Sequence, residues 1–150
     1  MVHYIKSGDI FQLSEVSCYA HGCNCAGAMG KGIALQFRLR FPQMYEEYHN
    51  LCIQGKFLPG DVYTYTDGTI TVFNLGTQKS WRTKATLEYI ENALKKMLHK
   101  AESLHISSIA LPAIGAGLGG LEWEEVKSVI NKVSLESPEI DLVVVESFTK

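Results

Sequence analysis

The sequence predicts a three-layer α/β/α fold, in which a mixed, mostly parallel central sheet lies between two layers of helices. Short apolar segments typical of buried strands alternate along the chain with segments of helical periodicity. Two of the predicted strands are followed directly by glycine-rich loops that lead into helices. The chain has 150 residues, 46% of them hydrophobic, and no linker, repeat or low-complexity segment, so we expect a single domain over residues 1–150.

The first half of the chain contains two predicted strands and two predicted helices. Residues 2–6 are strand-like and stop at a Ser-Gly-Asp turn, and residues 17–22 form a short apolar segment typical of a buried strand. Beyond a glycine-rich loop, residues 33–40 have apolar side chains at helical spacing. Pro42 ends this helix and suits the first position of the next one, residues 43–51.

The second half contains a hairpin, two more helices and two more strands. Residues 62–65 and 69–75 are strand-like and flank Asp67-Gly68, which indicates a tight hairpin and makes the sheet mixed. The longest predicted helix has an apolar stripe formed by Leu87, Ile90, Leu94, Met97 and Leu98. A buried strand, a second glycine-rich loop, a helix and a closing strand follow at residues 106–112, 113–120, 122–135 and 141–145.

Composition excludes several classes of protein. The 14 basic and 16 acidic side chains give a net charge of −2, which argues against a broad basic face for plain nucleic acid. No apolar run approaches the roughly 18 residues needed to span a bilayer, and the first residues do not resemble a signal peptide. We therefore expect a cytoplasmic protein without a membrane partner. Its four cysteines, Cys18, Cys23, Cys25 and Cys52, are expected to stay reduced.

The two glycine-rich loops, residues 23–32 and 113–120, carry the main functional signal. Each follows the carboxyl end of a predicted strand, where ligands bind in open parallel sheets. Exposed amides and a helix dipole form an anion site there, and two facing loops suit a diphosphate. The alternative is that the glycines only pack helix against strand. A Walker motif is excluded because Gly30-Lys31-Gly32 lacks the hydroxyl residue, and a dinucleotide fingerprint is excluded because neither loop follows the first strand.

Three sequence motifs surround these loops. They are Ala-His-Gly-Cys-Asn-Cys at residues 20–25, Met-Gly-Lys-Gly-Ile-Ala at 29–34 and Leu-Pro-Ala-Ile-Gly-Ala-Gly-Leu at 111–118. Together they resemble the macrodomain family of ADP-ribose binders, and the order of elements agrees over essentially the whole chain. The first motif is similar to small yeast-type ADP-ribose 1''-phosphate phosphatases. Residues 29–37 and 75–88 are similar to terminal ADP-ribose glycohydrolases and to bacterial antitoxins that remove ADP-ribose from DNA.

The resemblance implies a set of ligand-binding residues. Asp9, with Ile10 beside it, matches the aspartate that accepts a hydrogen bond from adenine; alternatively it caps the short helix that follows. Asn24 matches an asparagine that contacts the distal ribose; alternatively it stabilises its own loop. The other implied residues are Met29, Gly30, Lys31, Gly32, Ile33, Thr77, Gln78, Gly115, Ala116, Gly117 and Leu118.

His21 and Asn24 are the catalytic candidates. His21 lies in the phosphatase-like motif and titrates near neutrality, so it is a candidate acid or base at the distal end of the ligand; alternatively it is a hydrogen-bonded structural histidine. His21, Cys23 and Cys25 lack the C-x₂₋₄-C spacing of a zinc site. We therefore predict no metal and no cofactor.

The chain departs from the glycohydrolase branch at two positions. That branch uses a lysine after a threonine at the end of the central strand, whereas this chain has Gln78 there and Lys79 one residue later, on the opposite face of an extended segment. Gly119 stands where the branch has an acidic residue. Both groups needed for a Schiff-base mechanism are therefore missing.

The predicted function is an ADP-ribose-binding domain that hydrolyses a phosphate or ester from the distal ribose of an ADP-ribose derivative. Asn24 and His21 would assist an attacking water, and residues 77–82 would cover the distal end. One alternative is a non-catalytic ADP-ribose reader. Another is a glycohydrolase that acts on an ADP-ribosylated protein or DNA.

Overall fold

The computed structural model describes residues 1–150 and confirms the three-layer architecture. Six strands form one sheet in the order β1-β6-β5-β2-β4-β3, with every pairing parallel except that of β3 with β4. The strands are β1 (Val2–Ile5), β2 (Cys18–Asn24), β3 (Val62–Asp67), β4 (Ile70–Gln78), β5 (Ser108–Pro112) and β6 (Asp141–Val145). The helices are α1 (Gly32–Arg40), α2 (Pro42–Ile53), α3 (Leu87–Ser103) and α4 (Trp123–Ser134), and a 3₁₀ turn spans Ile10–Gln12.

Two apolar cores lie on the two faces of the sheet. The larger one packs α3 and α4 against the sheet, and its apolar stripe on α3 is the one that the sequence predicts. The smaller one packs α1 and α2 against the other face. Side chains alternate between the two along β2, where Cys18 and Ala20 belong to the larger core and Tyr19 and Cys23 to the smaller. No helix combines the length and the apolar character that a bilayer crossing requires.

Strands β2 and β4 both extend further than the sequence predicts. The predicted strands end at residues 22 and 75, whereas the structure continues β2 to Asn24 and β4 to Gln78. The reason is mutual pairing: Cys23 pairs with Gly76, and Asn24 pairs with Gln78 after a register irregularity. Glycine and polar residues suggest a loop locally, but the neighbouring strand satisfies their main-chain groups. Asn24 and Gln78 therefore lie side by side on adjacent strand ends.

Candidate functional site

A cleft of about 510 Å³ opens at the carboxyl ends of β2 and β4. Two loops border it: loop 1 (residues 25–31) follows β2, and loop 2 (residues 113–120) follows β5. A Cβ added to Gly32 would lie 3.7 Å from Leu118 Cδ1, so the start of α1 and loop 2 face each other across a narrow gap. The arrangement is the strand-end crevice expected for an open parallel sheet.

Asn24 shapes loop 1. Its Oδ1 accepts hydrogen bonds from the main-chain nitrogens of Ala26 (3.0 Å) and Ala28 (3.2 Å), and its Nδ2 donates to the Ala28 carbonyl (2.8 Å). The buried Tyr48 hydroxyl donates to the main-chain oxygen of Asn24 (2.7 Å). The loop-stabilising interpretation of Asn24 is therefore confirmed. One amide hydrogen remains available, and Asn24 lines the cleft.

The end of loop 1 and the start of α1 present a row of unpaired main-chain amides. The nitrogens of Met29 to Ala34 have no intramolecular acceptor, and Leu35 is the first to bond back, to the Lys31 carbonyl. Lys31 is the N-cap residue, and its side chain makes no capping bond. Met29, Gly30, Lys31 and Ala34 line the cleft. Unsatisfied N–H groups at a helix N-terminus form a site for an anion.

Loop 2 is closed by its own main chain. Gly120 N–H donates to the Ala116 carbonyl (3.0 Å), and Leu121 N–H donates to the Gly115 carbonyl (2.9 Å). Gly115 has a φ of +74°, which favours glycine. The nitrogens of Gly115, Gly117, Leu118 and Gly119 make no intramolecular hydrogen bond. Leu118 lines the cleft, whereas Gly115, Ala116 and Gly117 are not part of its lining, so their contact with a ligand stays a prediction.

His21 does not reach the cleft. It is fully buried in the smaller core, where its ring stacks on Phe37 (centroids 4.1 Å apart) and its Nε2–H donates to Asn74 Oδ1 (2.7 Å). Burial lowers its pKa to about 4, with a smaller opposing effect from the bond to Asn74, so the ring is neutral at physiological pH. The structure therefore contradicts a catalytic role for His21, because β2 directs this side chain under α1. The structural interpretation is the correct one.

Thr77, Gln78 and Lys79 have three different surroundings. Thr77 is buried, and its hydroxyl donates to the Cys23 carbonyl (3.3 Å), so it joins β4 to β2 and does not line the cleft. Gln78 does line the cleft. Lys79 is exposed and outside the cleft, as the alternation along the strand predicts. The structure therefore does not support a ligand-binding role for Thr77, whereas the ligand-binding role of Gln78 stays a prediction.

Asp9 and Ile10 lie outside the cleft as well. The Asp9 carboxylate accepts a hydrogen bond from the Phe11 main-chain nitrogen (2.9 Å), which confirms that Asp9 caps the 3₁₀ turn. Its second oxygen has no protein partner, so contact with adenine stays a prediction. Ile10 is only 1% exposed and packs in the smaller core, which leaves its side chain no access to a ligand.

Only some of the predicted ligand-binding residues therefore lie together at the cleft. Gly32 and Ile33 lie beside the lining, at the start of α1. The predicted residues that line the cleft are Asn24, Met29, Gly30, Lys31, Gln78 and Leu118. Trp81 also forms part of the wall and is 62% exposed; it belongs to residues 77–82, which the sequence predicts to cover the distal end. An exposed tryptophan beside a cleft is typical of a contact surface.

The family model of the Macro domain matches residues 20–130 of the chain. The chain is a macrodomain. Its similarity to solved macrodomain structures covers the whole chain: the macrodomain of Mycobacterium tuberculosis DarG superimposes with a TM-score of 0.89 at 32% identity, covering 100% of this chain and 98% of that one. The resemblance in the two loop motifs and in the order of elements is therefore confirmed.

Two kinds of curated relative resemble this macrodomain. A DNA ADP-ribosyl glycohydrolase of Mycobacterium tuberculosis is 34% identical over 92% of this chain, but the chain spans about 40% of that relative's length. An ADP-ribose 1''-phosphate phosphatase of the yeast Meyerozyma guilliermondii is 29% identical over 87% of this chain and 93% of its own length. These are the two branches that the sequence motifs resemble.

One of the four cysteines, Cys23, lines the cleft, and burial keeps its thiol protonated. All four are free, and Cys23 lines the cleft although it is almost fully buried. Burial raises the pKa of Cys23 well above its usual range and that of Cys25 to about 12. A thiol in this state is a poor nucleophile. No group of three or more His, Cys, Asp or Glu side chains is arranged to hold a metal ion.

Proposed function

We propose that this macrodomain binds ADP-ribose in the cleft, with the diphosphate held by main-chain amides between loop 1 and loop 2. The observation that carries the proposal is the row of unpaired N–H groups from Met29 to Ala34. These donors lie at the N-terminus of α1, where the helix dipole adds positive potential. A diphosphate satisfies several of them at once, and Gly30 leaves it room to approach.

The relatives support the choice of ligand. The phosphatases and glycohydrolases that resemble this macrodomain share ADP-ribose in their names, although they differ in the bond they act on. The part common to both groups of substrates is therefore what the cleft is proposed to recognise. Hydrogen bonds from main-chain amides need no cationic side chain, which agrees with a net charge of −2.

Gly30 offers a direct test of the proposal. A Cβ at this position would have no atom within 4 Å, and φ is not in the left-handed region, so a side chain can be added without disturbing the fold. Gly30→Glu places a carboxylate beside the amides and repels the diphosphate. We expect its affinity for ADP-ribose, measured by calorimetry, to fall at least about tenfold below that of Gly30→Gln.

Gly30→Gln is the matched control because glutamine has the same size as glutamate and no charge. The loss of ADP-ribose affinity in Gly30→Gln relative to the wild type measures the effect of side-chain size alone. Equal affinities of the two variants would contradict an anion site at loop 1. Absence of any heat when the wild type is titrated with ADP-ribose would refute the proposed function itself.

Phosphate release from the distal ribose is the second candidate function. It is favoured by the nearly full-length match to the yeast ADP-ribose 1''-phosphate phosphatase and by Gln78 at the place of the glycohydrolase lysine. Because His21 is buried and neutral, the proposed hydrolysis does not use it as acid or base, and Asn24 is left to orient the ligand. Incubation with ADP-ribose 1''-phosphate and measurement of free phosphate tests this candidate; binding without phosphate release would identify a reader.

A DNA ADP-ribosyl glycohydrolase activity is the remaining alternative. A covalent lysine adduct requires an amine at the end of β4, and Lys79 is exposed outside the cleft. We therefore expect no release of ADP-ribose from ADP-ribosylated DNA. Release at a rate comparable to phosphate release would reverse the order of the two candidates.

A further inference from the structure

Gln78 is the side chain at the end of β4 that faces the cleft. It is 9% exposed, and it pairs across the sheet with Asn24, the residue that the family resemblance places at the distal ribose. Both side chains line the cleft. If ADP-ribose is bound, its terminal sugar is the part of the ligand closest to Gln78.

The hydrogen bonds of Gln78 fix which way its amide is turned. Nε2 donates to the main-chain oxygens of Ser80 (2.8 Å) and Thr83 (2.9 Å), which uses both of its hydrogens. The reverse orientation would put Oε1 against two carbonyl oxygens. Oε1 has no hydrogen-bond partner in the protein, and no buried side-chain oxygen or nitrogen is left unpaired. Oε1 therefore remains accessible, and Gln78 is one of the residues that line the cleft.

The same two bonds hold the segment that follows β4, residues 79–84, which we call the strap. Within it, Ser80 and Thr83 are joined by bonds between their main-chain and side-chain groups, so the strap forms a closed turn. Trp81 lies at its tip, with the Arg82 guanidinium 4.6 Å from the ring centroid. Beyond the strap, Ala85 N–H donates to the Gly119 carbonyl of loop 2 (2.9 Å). Gln78 thus attaches one end of the strap, and loop 2 attaches the other.

We infer that Gln78 is a specificity-determining residue for the terminal sugar of the ligand. Its Oε1 accepts a hydrogen bond from a hydroxyl of that sugar, while its Nε2 holds the strap so that Trp81 forms the wall beside it. An ammonium group at this position offers only donors, whereas the amide oxygen of Gln78 offers an acceptor. The inference rests on the proposed function, because it takes ADP-ribose as the ligand.

Gln78→Met removes both the Oε1 acceptor and the Nε2 donor of this residue and leaves the other residues of the site in place. Methionine has a similar length and volume but neither donates nor accepts a strong hydrogen bond. We expect its affinity for ADP-ribose to fall about tenfold, while its affinity for ADP, which has no terminal sugar, changes less than about twofold. Calorimetry with both ligands measures the ratio of the affinity for ADP-ribose to the affinity for ADP in each variant. Lys79→Met, one residue further along the chain and outside the cleft, is the matched control and leaves both affinities unchanged.

A measurement on the wild type covers the case in which Gln78→Met folds poorly, and a second one, on the folded variant, tests the strap. With the wild type, at least one ADP-ribose analogue that lacks a single hydroxyl of the terminal ribose should bind about tenfold more weakly than ADP-ribose. The fluorescence of Trp81 is the part of the signal that Trp81→Phe removes. In Gln78→Met its quenching by acrylamide should increase, because the strap is released. A purely structural glutamine would lower the affinities for ADP and ADP-ribose together.

Three results overturn the inference. They are an unchanged ratio of ADP-ribose to ADP affinity in Gln78→Met, equal binding of all deoxy analogues by the wild type, and unchanged quenching of Trp81. The first two of them presuppose that the wild type binds ADP-ribose, whereas the third needs no ligand. A wild type that binds no ADP-ribose refutes the proposed function instead, so the two failures are distinguishable.

Discussion

Loop 1 and loop 2 face each other across one cleft, but different parts of the molecule hold them in shape. Loop 1 is held by side chains: the Asn24 amide bridges its main chain, Tyr48 of α2 donates to Asn24, and Tyr45 and His49 contact the Gly27 carbonyl at 3.0 and 2.9 Å. Loop 2 uses bonds between its own main-chain groups. Loop 1 therefore depends on α2, whereas loop 2 depends on close approach within itself.

The difference determines which substitutions each loop tolerates. In loop 2, a Cβ on Gly119 would lie 2.6 Å from the Gly115 carbonyl oxygen, and main-chain atoms have no freedom to move aside. In loop 1, a Cβ on Gly30 would meet nothing. Gly119 of loop 2 is thus sensitive to an added methyl group, whereas Gly30 of loop 1 has room for one.

The largest expected effect comes from Gly119→Ala. The added methyl group forces the turn of loop 2 apart, and we expect the free energy of unfolding to fall by about 3 kcal/mol. Urea denaturation measures it. Gly117→Ala is the control in the same loop, because its Cβ meets no atom within 4 Å and its φ is not positive. Equal stability of the two variants would show that loop 2 is not held by this close approach.

An acid-dependent loss of stability is expected on the loop 1 side. The pKa of His21 is lowered by burial from 6.5 to about 4, so the unfolded chain takes up a proton at a higher pH than the folded one. The stability is therefore complete above pH 6.5 and declines as the pH falls towards 4, by about 2 kcal/mol between pH 7 and pH 5. His21→Gln keeps a donor for Asn74 and removes the titration. Denaturation at several pH values should show a flatter profile for this variant, and an unchanged slope would assign the loss to other groups.

Tyr48→Phe tests the dependence of loop 1 on α2. It removes the hydroxyl that donates to the Asn24 main-chain oxygen and leaves a partly buried acceptor without that partner, so we expect a loss of about 1 kcal/mol. Tyr63→Phe is the matched control, since its hydroxyl donates to the exposed Glu47 carboxylate. Hydrogen exchange of the loop 1 amides should increase in Tyr48→Phe alone. Faster exchange in loop 2 to the same extent would contradict the separate support of the two loops.

Much of the fold follows from patterns that are local in the sequence. The stripe on α3 and Pro42 at the start of α2 each predict an element that the structure contains. The predicted hairpin is present too, but its turn is Gly68-Thr69, because Asp67 pairs with Ile70. Local patterns do not predict where β2 and β4 end at the cleft. Residues 23–24 and 76–78 are glycine-rich or polar, and only their mutual pairing makes them strand.

The site itself is predictable in outline and not in its side chains. Glycine loops after β2 and β5 indicate an anion site because a strand end, a loop and a helix N-terminus suffice to build one. The orientation of His21 cannot be predicted from such local signals, because it depends on which face of β2 the helix α1 covers. The family resemblance likewise assigns Thr77 and Ile10 to the ligand, although packing buries both of them.

The fold class, the family and the two amide-rich loops can be predicted without a structure, because they depend on periodicity, glycine positions and order along the chain. Three features follow from the folded structure alone: His21 belongs to the core, Asn24 supports loop 1, and the Gln78 amide nitrogen holds the strap. The physical reason is that burial and hydrogen bonding of a polar side chain depend on partners far away in sequence. For these residues the partners are Asn74, Tyr48 and Thr83, and local sequence contains no record of which atoms they reach.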